Sequence, residues 1–316
     1  MGERKLNIAV IDLGTNTFNL QIWEVKSGDF KVIHSEKQVV KLAQGSRNMS
    51  TIQPEPFQRA LNAMSHYHRI IQRLDVQEVY AFATSGMRSA SNGSEFITRI
   101  KNEMGIGIQI IDGEKEADLI FKGVRFGTPD LLKENTVIID IGGGSTEYIV
   151  VINGEKAWSG SFKLGASRIQ EMFDLEDPLS EDNHQQIENL ISTELTPLID
   201  QLKNYPIQNI VGCSGSFDTI ADVLFCDQYE IDQTPNGTEL PLAMYHAFAS
   251  KMFELHVEDR LKMKGMIPLR ADLMPISCIL INELISISGA NHLYLSKYAL
   301  KEGAFSEMAQ NLNLSN

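Results

Sequence analysis

Short apolar runs that close on an acid and a turn of small residues occur twice in this chain. One is Ile8-Ala9-Val10-Ile11-Asp12-Leu13-Gly14-Thr15-Asn16-Thr17; the other is Val137-Ile138-Ile139-Asp140-Ile141-Gly142-Gly143-Gly144-Ser145-Thr146-Glu147. Both are rich in β-branched residues and lack alternation, as expected of a strand buried on both faces. A second apolar run follows each turn, over 19–25 and 148–152, so each copy predicts a strand, a tight hairpin and a strand. Residues 30–40 alternate apolar and polar positions and predict a third strand. After a polar loop over 43–50, Pro54 and Pro56 open a helix to Leu74, with Phe57, Leu61, Met64, Tyr67, Ile70 and Ile71 at helical spacing. A strand over 79–83, a helix over 92–104, a strand over 106–111 and a helix over 114–124 complete the first half.

The order recurs downstream, with a strand over 157–164, helices over 167–173 and 181–202, and a strand over 210–212 that runs into Cys213-Ser214-Gly215-Ser216. Helices over 217–225 and 242–255 flank a polar, proline-containing loop over 227–241. An apolar helix over 268–283, a short strand over 293–295 and a helix over 299–309 end the chain. The pattern predicts an α/β fold made of a duplicated β-β-β-α-β-α unit. The division falls near 127–134, giving domains 1–126 and 127–316, with the helix at about 299–316 packing back on the first.

The turns carry the candidate chemistry. Glycines let backbone N–H groups converge, Ser and Thr hydroxyls add donors, and a preceding aspartate can hold a divalent cation directly or through water. Two such turns face to face would clamp a phosphate chain with the metal between them. A lone glycine turn is an ordinary hairpin; it is the matched pair, each with its acid in the same place, that points to phosphate.

Composition narrows the classes. The chain has 316 residues, 43% hydrophobic and 22% charged, enough for two domains with separate cores. No apolar run approaches the length of a membrane span and no leader pattern is present, so a cytoplasmic protein is expected. Three cysteines, Cys213, Cys226 and Cys278, are too scattered for a disulfide framework or a zinc motif. His66 and His68, two apart in a helix, do not share a face and offer no zinc pair. A net charge of −13 argues against binding DNA or an anionic membrane, so an anionic ligand must be met by local cations, amides and metal.

Asp12 to Thr17, Asp140 to Glu147, Gly212-Cys213-Ser214-Gly215 and the segment from Leu295 to Gly303 resemble, in order and spacing, the exopolyphosphatase and guanosine pentaphosphate phosphohydrolase family. That family belongs to the superfamily of actin, sugar kinases and heat-shock chaperone ATPases. The resemblance implies two ribonuclease-H-like, actin-like ATPase domains with a cleft between them. It makes Gly14, Thr15, Asn16 and Thr17 one phosphate clamp and Gly142, Gly143, Gly144, Ser145 and Thr146 the other. Asp140 and Glu147 become ligands of Mg2+ or another divalent cation, with Asp12 contributing through water, and Ser214, Gly215 and Ser216 line the phosphate path.

The family's catalytic base is the second Glu of Gly-x-Glu-Glu-Ala, which here reads Gly113-Glu114-Lys115-Glu116-Ala117. Glu116 takes the base position, and Lys115 replaces an acid and adds a cation beside the expected site. On isolated ground, Glu114, Glu116 and Asp118 would simply complement a helix dipole. Arg88 matches an arginine after the equivalent strand; its guanidinium can grip two phosphate oxygens, although viewed alone it would serve equally as a helix-capping surface residue. Lys297 stands where the family commonly has Asp, and Lys301 where it has Arg. The resemblance implies hydrolysis of inorganic polyphosphate or pppGpp by water activated on Glu116, in a homodimer. A kinase of the same superfamily and a non-catalytic or slow phosphate or nucleotide sensor are the alternatives.

Overall fold

Strand pairing follows from where the apolar residues sit. The computed structural model describes residues 5–26, 29–46 and 49–311. The first half lays down β1 (Lys5–Leu13), β2 (Thr17–Lys26), β3 (Asp29–Val39), α1 (Pro54–Arg73), β4 (Glu78–Ala83), α2 (Ser85–Ser89), α3 (Gly93–Met104), β5 (Ile108–Ile110) and α4 (Gly113–Gly127). The second repeats the scheme with β6 (Thr136–Ile141), β7 (Thr146–Ile152), β8 (Glu155–Phe162), α5 (Ala166–Met172), α6 (Glu181–Glu194), α7 (Thr196–Leu202) and β9 (Asn209–Cys213). Then come α8 (Ser214–Leu224), α9 (Leu242–Glu254), α10 (Val257–Arg260), α11 (Met274–Ser288), β10 (His292–Ser296) and α12 (Leu300–Asn311). The sheet orders β3-β2-β1-β4-β5 and β8-β7-β6-β9-β10 are the same topology twice, so the repeat extends one strand and one helix beyond β-β-β-α-β-α. Residues 47 and 48 of the predicted polar loop, and 312–316 of the predicted last helix, lie outside the described residues.

Each sheet is mixed: β1 and β6 run antiparallel to their hairpin partners and parallel to β4 and β9. Side-chain alternation then sorts β1 between two cores. Ala9, Ile11 and Leu13 join α1 and α3 on the outer face, while Ile8 and Val10 face a layer that holds α4 and α12. On the other side of that layer stand Ile138, Ile149, Val151 and Val211 of the second sheet, whose outer face packs α5 to α11. Both central strands are therefore covered on both faces, which is why their sequences are unbroken apolar runs.

The shared layer is tight. α4 and α12 cross where Gly123 meets Ala299 and Gly303 meets Leu119; a Cβ on Gly303 would lie 1.8 Å from the Leu119 carbonyl oxygen. Trp23 of β2 stacks on Phe305 of α12 with ring centroids 4.1 Å apart and planes 10° from parallel. Burying such rings dominates the local energetics.

Helix boundaries differ most from the sequence reading at two prolines and at Gly289, before which the helix expected to stop at 283 runs on to Ser288. The helix expected over 181–202 is two, because Pro197 in the first turn of α7 has no N–H to continue the ladder of α6. The helix expected from 268 begins at Met274, with Pro275 in its first turn, and residues 268–273 form turns instead.

Candidate active site

Hairpin register puts a polar pair at the foot of each turn. Asp12 stands opposite Asn19 across β1 and β2, and Asp140 opposite Glu147 across β6 and β7. Each turn closes by the same backbone bond, Gly14 N to Thr17 O at 3.1 Å and Gly142 N to Ser145 O at 3.0 Å. Asn19 donates to Asp12 at 3.0 Å. The sequence reading passed over Asn19, whose signal is its place opposite Asp12, where the second copy has Glu147.

Other elements hold the turns in place. The first amides of α5 donate to the second turn, Ala166 N to Gly142 O at 3.0 Å and Arg168 N to Gly143 O at 2.9 Å. That occupies the turn's carbonyls, whereas the amides of Gly143 and Gly144, like those of Thr15 and Asn16, have no backbone acceptor among the described residues. Such converging N–H groups form an anion-binding nest. The turns themselves are in contact: a Cβ on Gly143 would lie 2.9 Å from both Asn16 Nδ2 and Thr15 Cβ. Ser167 donates to Asn16 Oδ1 at 2.9 Å, while Arg168 donates to Gly144 O at 2.7 Å and to Ser89 of α2 at 3.0 Å. Ser167 and Arg168 were not foreseen, since no local pattern announces a contact across the cleft.

Between the turns lies a cavity of about 180 Å³, lined by Gly14 to Thr17 and Gly142 to Ser145 together with Asp12, Glu116, Asp140, Glu147, Ser214 and Gly215. Glu116 reaches it from the first turn of α4, whose amides are capped by Asp112, which accepts from Lys115 N at 2.8 Å. Arg88 of α2 pairs with Glu116 at 3.1 Å and also donates to Ile111 O at 2.6 Å. The expected acids and turns thus meet in one cleft.

Three expectations need correction. Ser216 is fully buried against Ser277, 3.0 Å away, because it falls on the inward face of α8. Thr146 is fully buried as well and donates to Leu164 O at 2.9 Å, tying β7 to the segment before α5. Neither hydroxyl lines the cleft. Lys115 does not charge the site either: it lies on the flank of α4 that faces α12 and pairs with Glu307 at 2.8 Å.

Arg270 is the principal addition. It is 9% exposed, lines the cavity against Gly215, and its Nη1 has no hydrogen-bond partner among the described residues. It comes from the turns before α11, where a helix was expected. Lys37 of β3 reaches Asp218 of α8 at 3.3 Å across the mouth of the cavity, and Lys301 lies 3.4 Å from Glu302 on the floor of the cleft.

The electrostatics are those of crowded acids. Burial lifts Asp12 to about 6, against the opposing pull of Lys301 and the Asn19 hydrogen bond. Burial and the charge of Glu147 lift Asp140 to about 7, although Ser214 donates to it at 2.8 Å. Glu116 is held well above the carboxylate range by burial and by Glu147, with Arg88 opposing. Glu147 is also raised by burial, against the donors Ser161 and Ser145. Among the described residues no three Asp, Glu, His or Cys side chains converge closely enough to cage a metal by themselves. The donor set is one of few carboxylates and many amides, suited to an ion that keeps its waters.

The profile of the Ppx/GppA phosphatase family matches residues 21–312. An exopolyphosphatase from Cytophaga hutchinsonii, solved by crystallography, is 32% identical and superposes with a TM-score of 0.92, covering 98% of this chain and all (100%) of its own. The Aquifex aeolicus member of the Ppx/GppA family shares the fold at 22% identity, with a TM-score of 0.82 over 98% of this chain and 99% of its own. A Haemophilus influenzae protein that bears the name exopolyphosphatase provisionally is 25% identical over 308 residues, 98% of this chain and 93% of that protein. With two actin-like halves facing each other across paired glycine turns, this chain belongs to the Ppx/GppA phosphatase family.

Proposed function

We propose that this protein releases the terminal phosphate of a linear phosphoanhydride, inorganic polyphosphate or pppGpp, by attack of a water that Glu116 orients and deprotonates. The observation that carries this reading is the Arg88–Glu116 pair, 3.1 Å apart where the two turns meet. Hydrolysis needs an in-line water, a base for its proton and positive charge on the transferring oxygens. Glu116 is the base, and burial and the charge of Glu147 raise its affinity for protons, with Arg88 opposing. Arg88, Arg270 and the amides of both turns meet the phosphoryl oxygens.

Asp140 and Glu147, with Asp12 through water, are the residues that would hold Mg2+ or another divalent cation. The ion would supply charge neutralisation for the phosphates and for the four buried acids together. A kinase would need an acceptor hydroxyl at the position assigned to water, beside Glu116, which is 7% exposed.

The test is a phosphate-release screen over polyphosphates of several lengths, pppGpp and nucleoside triphosphates, with and without Mg2+. Free phosphate from polyphosphate or pppGpp, dependent on the cation, is expected. Binding without turnover would favour a sensor, and phosphate appearing on an added acceptor would favour a kinase; either result removes the reading.

A further inference from the structure

The two turns are held from behind by different means. The carbonyls of the second take amides from α5, whose helical geometry keeps those donors in place. The first turn relies on an irregular segment instead, the residues that follow β3. Leu42 N donates to Thr15 O at 2.7 Å, while Val40 N and Lys41 N donate to Asn16 O at 2.9 and 3.1 Å. The C=O and N–H of one trans peptide point in opposite directions. Holding Thr15 O from behind therefore aims the Asn16 N–H forward, and the anion-binding face of this turn is set by residues 40–42.

That segment needs a brace of its own. Its three amides converge on two carbonyls through a φ of 45° at Lys41, left-handed backbone that a side chain other than glycine rarely adopts and that persists where the surroundings impose it. Val40, Leu42 and Ala43 are buried, which fixes the apolar side of the segment. Arg59, in the second turn of α1, fixes the polar side. Its Nε donates to Val40 O at 3.1 Å and its Nη2 to Gln44 Oε1 at 2.6 Å, so one guanidinium spans the left-handed residue. Its Nη1 pairs with Glu55, one helical turn back, at 2.7 Å. A planar fork can serve all three acceptors together, which the single ammonium of a lysine cannot do in the same geometry.

We propose that Arg59 is a positioning residue for phosphate binding. It braces residues 40–44, these orient the Thr15–Asn16 peptide, and the N–H of that peptide meets a phosphoryl oxygen. The proposal rests on the phosphohydrolase reading for the identity of its ligand. Arg59 acts from outside the cavity, whose lining it does not join.

Arg59→Met, which keeps the length of the side chain and removes all three bonds, is compared with wild type and with Glu55→Ala, which removes the ion pair alone. For polyphosphate kcat/KM should fall about tenfold in Arg59→Met, mainly through KM, and stay within about twofold of wild type in Glu55→Ala. Gln44→Met, which leaves α1 untouched and removes one of the two bonds to the segment, should raise KM by about threefold. Amide hydrogen exchange in Arg59→Met should quicken over 40–42 and hold over 54–73, a pattern that general loss of folding does not give. Equal effects of Arg59→Met and Glu55→Ala, a loss carried by kcat alone, or unchanged exchange over 40–42 would overturn the proposal. Calorimetric binding of long-chain polyphosphate to Glu116→Gln, with and without Arg59→Met, keeps the two readings apart. Failure of wild type to release phosphate from any substrate would count against the function, whereas binding that weakens with Arg59→Met would still establish the brace.

Discussion

Glu116 separates chemistry from recognition. Glu116→Gln keeps the size and the hydrogen bond with Arg88 but removes the base, so phosphate release should fall by about 10²–10⁴-fold while calorimetric affinity for polyphosphate persists. Loss of both would make Glu116 a binding or folding residue. The raised aspartates give a second test, in which stability is read rather than rate. A carboxyl whose affinity for protons is higher folded than unfolded loses stability as pH rises through the interval between its two values, here from the ordinary carboxylate range to about 6 for Asp12 and about 7 for Asp140. Without divalent cations the Tm should therefore drop as pH increases across that window, less steeply in Asp12→Asn/Asp140→Asn, and Mg2+ should restore it most at the upper end. A cation effect equal in the double variant would remove these residues from the ion site. At this scale the glycines and the aspartates before them were legible in sequence because a turn's geometry is written in consecutive residues, whereas Glu116, which alone would only complement a helix dipole, was singled out by the family resemblance. Arg270, Asn19 and Arg168 were not, because each gains its meaning from a partner far along the chain.

Among the elements, the crossing of α4 and α12 bears the tightest constraint. Gly303→Ala would place a methyl 1.8 Å from the Leu119 carbonyl, so the helices must separate. Chemical denaturation should show a loss of at least about 2 kcal/mol. Lys115→Ala, on the same interface, should cost only about 0.2–1 kcal/mol and leave the choice among polyphosphate and pppGpp as it was, since its partially exposed pair with Glu307 points away from the turns. A changed substrate preference would return Lys115 to the site. Strand positions followed from apolar runs and helix positions from periodicity, but two misplaced boundaries fell at prolines. There, composition favoured continuation, and the missing N–H of Pro197 and the first-turn placement of Pro275 decided otherwise.

Taken whole, the molecule is two copies of one topology joined by a shared apolar layer below and by touching turns above. The duplication was readable because both copies kept the same order of runs and turns; of the layer between them only the return of the last helix to the first half was expected, since periodicity tells a helix which face to bury but not against which sheet. Gly143→Ala should act as a wedge, its methyl meeting Thr15 and Asn16 of the opposite turn. Small-angle scattering should show a larger radius of gyration than wild type, with reduced phosphate release; an unchanged radius would mean that the turns yield locally. The position of Phe305, stacked on Trp23, also has a meaning for biogenesis. The strand bearing Trp23 leaves the ribosome nearly three hundred residues before its stacking partner does. A nascent first half must wait with an uncovered aromatic face, dependent on chaperones or on the speed of translation, until α12 arrives to complete it.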